Sequence, residues 1–154
     1  MTVLATIRPD EWELPLFIHV LGALTLIGAL VLTTALLFHA WHDASAANLR
    51  LALRSLTLGV IPAWLVLRVS AEWIADKEGY SDADDPPDWI DIGYMVGDGG
   101  FLLILLSALF GWLALRKVRA DGTPTATVRA AAILIALLLV LNLVALWAMT
   151  TKPG

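Results

Sequence analysis

Long apolar stretches alternate with short polar ones along this chain, and four of the apolar stretches dominate it. They cover residues 14–38, 51–74, 92–115 and 128–149. A hydrocarbon core about 30 Å thick takes about 20 helical residues to cross, and each stretch meets that length. None alternates with the period of two that a strand shows, and each is far longer than the roughly ten residues of a membrane strand, so helices are predicted. Asp121-Gly122 and Thr123-Pro124 supply a turn between the third and fourth segments. Short connections after the first and third segments, with one longer acidic loop over 75–91, predict an all-α, single-domain, up-down-up-down four-helix bundle integral to a membrane.

The sequence Ala44-Ser45-Ala46 after the first apolar run has the form of a signal-peptidase site. The run is too long for a signal, however, and Asp10, Glu11 and Glu13 before it oppose the single Arg8, where a signal carries positive charge. The first segment is therefore read as a retained helix. Lys and Arg are held on the cytoplasmic side of a membrane. Arg50 and Arg54 flank one short connection, and Arg116, Lys117, Arg119 and Arg129 flank the other, against only Arg8, Lys77 and Lys152 at the opposite side. Both termini and the 75–91 loop are thus expected outside. Trp12, Trp73, Trp89 and Trp147 fall at that outer boundary and Trp41 and Trp112 near the inner one, where indoles concentrate; only Trp64 lies mid-helix.

Composition agrees with this pattern. Of 154 residues, 59% are hydrophobic and 16% charged, with a mean hydropathy of +0.79; soluble domains carry about a quarter charged residues. The absence of cysteine removes disulfides, thiolate nucleophiles, Cys-ligated zinc and Fe–S clusters. A net charge of −4 speaks against a nucleic-acid partner, so the partners expected are the lipid bilayer and other membrane subunits. No Ser/His/Asp set, phosphate-binding glycine loop or HExxH pattern supports hydrolase or phosphoryl-transfer chemistry.

Small residues suggest where helices meet: Thr25, Ala29 and Thr33 at spacing four, near Gly22 and Gly28, are expected to face inward. Gly59 and Pro62 predict a kink in the second helix. Gly97, Gly99 and Gly100 open the third helix loosely, either for close packing or to make room for a ligand.

The polar residues inside the apolar segments carry the candidate chemistry, because such groups face a bundle interior or a cavity. Measured from the outer boundary at about 1.5 Å per residue, His19, Arg68, Asp98 and Asn142 each lie roughly 8 to 11 Å deep, one on each helix. Glu72 shares a face with Arg68, as Tyr94 does with Asp98, and Trp64 lies four residues before Arg68, placed for a cation–π contact. Two readings stand side by side. One is a structural network in which Arg68 neutralises Asp98 or Glu72, with His19 and Asn142 completing the hydrogen bonds. The other is a pocket on the outer face for a polar ligand, a metal or a haem propionate. A bis-histidine haem is excluded, since His19 is the one histidine at that level; a His19 pairing with Met95 or Met149 remains, with haem b as the cofactor it would imply. His39 and His42, three apart beside Asp43, are a second metal candidate with too few ligands for zinc, and interfacial histidines are the alternative.

Leu14-Pro15-Leu16-Phe17-Ile18-His19-Val20-Leu21-Gly22-Ala23, followed by Gly28, resembles the first helix of small bacterial inner-membrane proteins related to the copper-resistance protein D family. Ile61-Pro62-Ala63-Trp64-Leu65-Val66-Leu67-Arg68 and Trp89-Ile90-Asp91-Ile92-Gly93-Tyr94 look like an uncharacterised four-helix branch of that grouping. The resemblance implies a multi-pass protein of the bacterial inner membrane, with copper handling or haem-associated redox chemistry. The sequence lacks the Met- and His-rich outer segments of a copper collector, and Asp82-Ala83-Asp84-Asp85 lacks the glycine and closing glutamate of an EF-hand loop. Three functions are left: a non-enzymatic binding protein or accessory subunit using the outer polar cluster, a haem-binding redox protein using His19, and a proton or ion conductor through His19, Asp98 and Glu72. For the last, helix 3 offers only Ser107 between Asp98 and Arg116.

Overall fold

The computed structural model describes residues 13–80, 87–123 and 126–151, all helices and short connections. Trp12, the Asp82–Asp85 run, Pro124 and Lys152, all used in the sequence reading, lie outside the described residues. The helices are α1 (Glu13–Asp43), α2 (Ala46–Ser55), α3 (Ile61–Glu78), α4 (Asp88–Asp121) and α5 (Ala126–Thr151). A π-helical turn over Leu56–Val60 joins α2 to α3, so Ala46–Glu78 forms one rod of 33 residues. Among the described residues four helical spans are long and apolar enough to cross a membrane.

Each helix outruns its apolar stretch, and the ends show why. Between α1 and α2, Ala44 takes φ 51, a left-handed conformation that favours glycine. Ser45 then caps α2, its side chain accepting from the Asn48 N–H at 3.2 Å. At the far end of the rod, Gly79 (φ 76) closes α3, and the N–H groups of Gly79 and Tyr80 return to Asp76 and Ala75. Helix α4 starts at Asp88, with Asp88 and Asp91 in its first turn where carboxylates complement the helix dipole. The helices thus enter the expected 75–91 loop from both sides, α3 running to Glu78 and α4 beginning at Asp88. Where Gly59 and Pro62 predicted a kink, the helix carries the π turn. Pro62 has no N–H to give, and the chain adjusts one turn earlier: the Ile61 N–H bonds to Leu56 O, five residues back.

Close backbone approach holds the helices together. A Cβ on Gly22 would meet Leu67 N at 3.2 Å, one on Gly59 would meet Ala29 Cβ at 3.2 Å, and Thr33 Oγ1 lies 2.9 Å from Ser55 Oγ. Along these contacts α1 numbers rise as those of the α2–α3 rod fall. Gly111 against Leu53, and Gly100 against Leu138, bring α4 onto α2 and onto α5 in the same way. The inward face of α1 is Gly22, Leu26, Leu30, Thr33 and Leu37. The expected Thr25–Ala29–Thr33 stripe holds for Ala29 and Thr33 but not for Thr25: a spacing of four advances about 40° beyond a full turn at each step, and Thr25 faces outward, bonded to Leu21 O. Gly28 is likewise outward, with nothing within 4 Å of its Cβ position. Leu26, Leu30, Leu49, Leu56, Ile104, Ile135 and Leu138 make the core, while Leu58, Phe17, Leu24 and Val69 are among many large apolar side chains on the outside. An apolar exterior of this extent suits a hydrocarbon solvent.

Helix α4 packs chiefly on α5, and α1 on α3 and α5, whereas α3 and α4 touch at few points. The bundle is consequently closed near Ser45 and open near Tyr80.

Candidate functional site

The gap between α3 and α4 is crossed by side chains rather than closed by packing. Arg68 on α3 donates from Nε to Asp98 Oδ1 on α4 at 3.0 Å, and from Nη1 to Glu72 Oε1 one turn along its own helix. Its guanidinium carbon stands 4.7 Å over the Tyr94 ring, and Tyr94 Oη donates to Glu72 Oε2 at 3.1 Å. The arginine thus has both carboxylates as partners rather than one. The side chain of Arg68 is 24% exposed, against 50% for Glu72 and 65% for Asp98, so the cation lies inside and the anions outside. One formal positive charge faces two negative ones.

Trp64, expected beneath Arg68, does something else. Its Nε1 donates to Gly97 O on α4 at 2.9 Å, and its ring stacks on Phe101 with centroids 4.6 Å apart.

Behind this bridge is a cavity of about 410 Å³ between α1, α3, α4 and α5. His19, Arg68, Tyr94 and Asn142 all line it, with Trp64, Met149, Tyr80, Trp89 and Ile90 among its mostly apolar walls. Tyr80 and Trp89 meet edge to face at its end, with centroids 6.2 Å apart. Glu72 and Asp98 do not line it; Asp98 and Tyr94 border a separate shallow depression with Met95 and Gly99.

Sequence reasoning placed His19 and Asn142 in the Arg68 network, and the structure separates them from it. His19 Nδ1 lies 3.3 Å from Ser70 Oγ. Asn142 Nδ2 donates to Leu138 O of its own helix at 2.9 Å, the nearest acceptor for an amide in apolar surroundings. Ser70 was not anticipated, since a lone serine carries no distinctive signal; its facing position across from His19 follows from the Gly22–Leu67 approach.

Of the methionines paired with His19 on sequence grounds, Met149 lines the cavity and Met95 is 72% exposed on the other side of α4. Met149 reaches in against Gly93, where any Cβ would collide with its methyl. His39 and His42 are both exposed, with the His42 ring stacked on Trp41 at 5.6 Å. Among the described residues no group of three or more His, Asp or Glu is gathered to hold a metal ion. At the Ser45 end, Arg116 lies over Trp112 and Arg129 over Trp41, at 4.9 and 5.3 Å. Ser107, the one polar residue on the α4 path away from Asp98, is buried with its hydroxyl unpartnered.

No family model matches this chain, and no curated protein and no solved structure is detectably similar to it. The resemblance to the copper-resistance protein D grouping accordingly rests on the quoted residues alone.

Proposed function

We propose that this chain is a non-enzymatic membrane binding protein whose cavity holds a small, largely apolar molecule. The observation that carries this reading is the cavity itself. Its volume lies in the range of about 300 to 1,000 Å³ found for ligand sites, and its apolar walls are set with a few polar groups, the usual arrangement of such sites. Arg68, Glu72 and Asp98 act in this reading as the strut that keeps α3 and α4 apart.

The fold is read as an up-down-up-down bundle in a bacterial plasma membrane, with both termini and the cavity end outside. The arginines and the lysine at 50, 54, 116, 117, 119 and 129, all at the opposite end, support that orientation. Cysteine introduced at Ser45 or Gly122 is expected to resist an impermeant thiol reagent in sealed cells, and cysteine at Ser81 to react. Labelling at Ser45 would invert the topology.

A second reading, haem b, is favoured by one observation: His19 and Met149 line the same cavity. One preparation separates the two. Purified wild-type protein, expressed with haem supplied, is expected to show no Soret band and to release an apolar molecule on solvent extraction, at a ratio to protein that falls at least severalfold in Ala71→Trp, which fills the cavity. A Soret band lost in His19→Ala would establish haem instead. An unchanged extract from Ala71→Trp would remove the cavity as the site.

A further inference from the structure

Ser70 has a single hydroxyl proton, and two carbonyls of its own helix take it: Val66 O at 2.7 Å and Leu67 O at 3.0 Å. Serines in apolar helices back-bond in this way. The serine oxygen that meets His19 Nδ1 at 3.3 Å is therefore the acceptor, and the ring is the donor. In a neutral imidazole one nitrogen carries the proton and the other a lone pair. With the proton on Nδ1, Nε2 is a bare acceptor on a ring that lines the cavity. Asn142, on the α5 wall, spends one N–H on Leu138 O and keeps its carbonyl oxygen and a second N–H, so it can meet either a donor or an acceptor. The imidazole nitrogen can only accept, so it calls for a ligand that brings a donor.

Charge narrows the ligand further. Arg68 reaches the cavity, but its Nε and Nη1 are taken by Asp98 and Glu72, and the three together carry a formal charge of −1. An anionic head gains nothing from a cation already over-compensated. An ammonium head would leave water for mostly apolar walls whose charged members, Arg68, Lys77 and Glu78, are two cations and one carboxylate. A neutral hydroxyl meets neither cost. The wall along α1 runs from Leu16 to Ile27, about 16 Å of helix, long enough to lie against a hydrocarbon chain.

We propose that the cavity takes a neutral long-chain lipid with a hydroxyl head, the hydroxyl donating to His19 Nε2 and the chain lying along the Leu16–Ile27 wall. This rests on the cavity reading above, and the test keeps the two apart. The full chain in phosphatidylcholine nanodiscs is photolabelled with alkyl diazirines of one chain length that end in hydroxyl, carboxylate, ammonium or methyl, and the adducts are mapped by peptide sequencing. The hydroxyl probe is expected to label cavity residues at about a tenth of the concentration the other three require, the worth of one good hydrogen bond. His19→Leu is expected to abolish its advantage over the methyl probe, and His19→Gln, which offers an acceptor of its own, to restore part of it. An advantage for carboxylate or ammonium in the wild type, or a hydroxyl advantage that survives His19→Leu, overturns the hydroxyl assignment and leaves the cavity reading intact. Absence of cavity labelling by all four probes, the methyl probe included, overturns the cavity reading itself.

Discussion

Arg68→Leu is expected to cost about 3 kcal/mol of stability. It leaves Glu72 and Asp98 without a cation in segments where a lone carboxylate costs roughly 2 to 3 kcal/mol on insertion scales, and it removes the guanidinium that rests on Tyr94. Asp98→Leu is expected to be milder, about 1 kcal/mol, because Arg68 keeps Glu72 and Asp98 is the more exposed of the two anions. In the double variant Arg68→Leu/Asp98→Leu, one of the two orphaned carboxylates is gone and Tyr94 still donates to the other. The double loss should therefore fall below the sum of the single losses by about 1 to 2 kcal/mol. Unfolding in mixed micelles, followed by tryptophan fluorescence, measures all three. Strict additivity would show that the Arg68–Asp98 bond contributes nothing.

Gly22→Val is expected to be the other large effect. The Cβ it adds would meet Leu67 N at 3.2 Å and Leu67 Cα at 3.3 Å, and both are backbone atoms of a facing helix that cannot rotate aside. Relief requires α1 and α3 to separate, at about 1 to 3 kcal/mol or more for an overpacked contact. The same separation moves His19 from Ser70, so ligand retention should fall with stability. Gly28→Val, on the outward side with nothing within 4 Å of its Cβ position, is the matched control and should leave the melting temperature nearly unchanged. Equal effects at the two positions would mean that the Gly22 contact is not what joins these helices.

How much of this could be read beforehand depends on the kind of signal. Four spans and the Arg68–Asp98 pair were legible because lipid imposes a cost on every polar residue, so each one present demands a reason. Arg68 taking Glu72 as well was half legible: spacing of four allowed it, but only the gap between α3 and α4 leaves room for both partners. His19–Ser70 was not legible, because serine satisfies itself on its own helix and leaves no trace in the pattern. Asn142 and Met95 show the converse limit. Depth places a residue along a helix, but its direction around the axis comes from packing, and Met95 points away from the site its level suggested. Gly22 and Gly28 look alike in sequence and differ entirely in what stands opposite them.

The π turn at Leu56–Val60 has a consequence for how this molecule can vary. Such a turn holds one residue more than the α-helix around it, so it acts as a phase shifter, turning all that follows by about 100° relative to an uninterrupted helix. Leu58, at its centre, is 77% exposed and contributes little packing of its own. Its chemistry is therefore free to change while its presence is not: losing this one residue would rephase α3, carrying Arg68 and Ser70 off the lines that meet Asp98 and His19. Substitution at position 58 and deletion of position 58 thus stand at opposite ends of tolerance. The alignment of the whole cavity depends on counting residues through a stretch of five, in which position 58 is free to vary while Leu56, Gly59 and Val60 are held by packing.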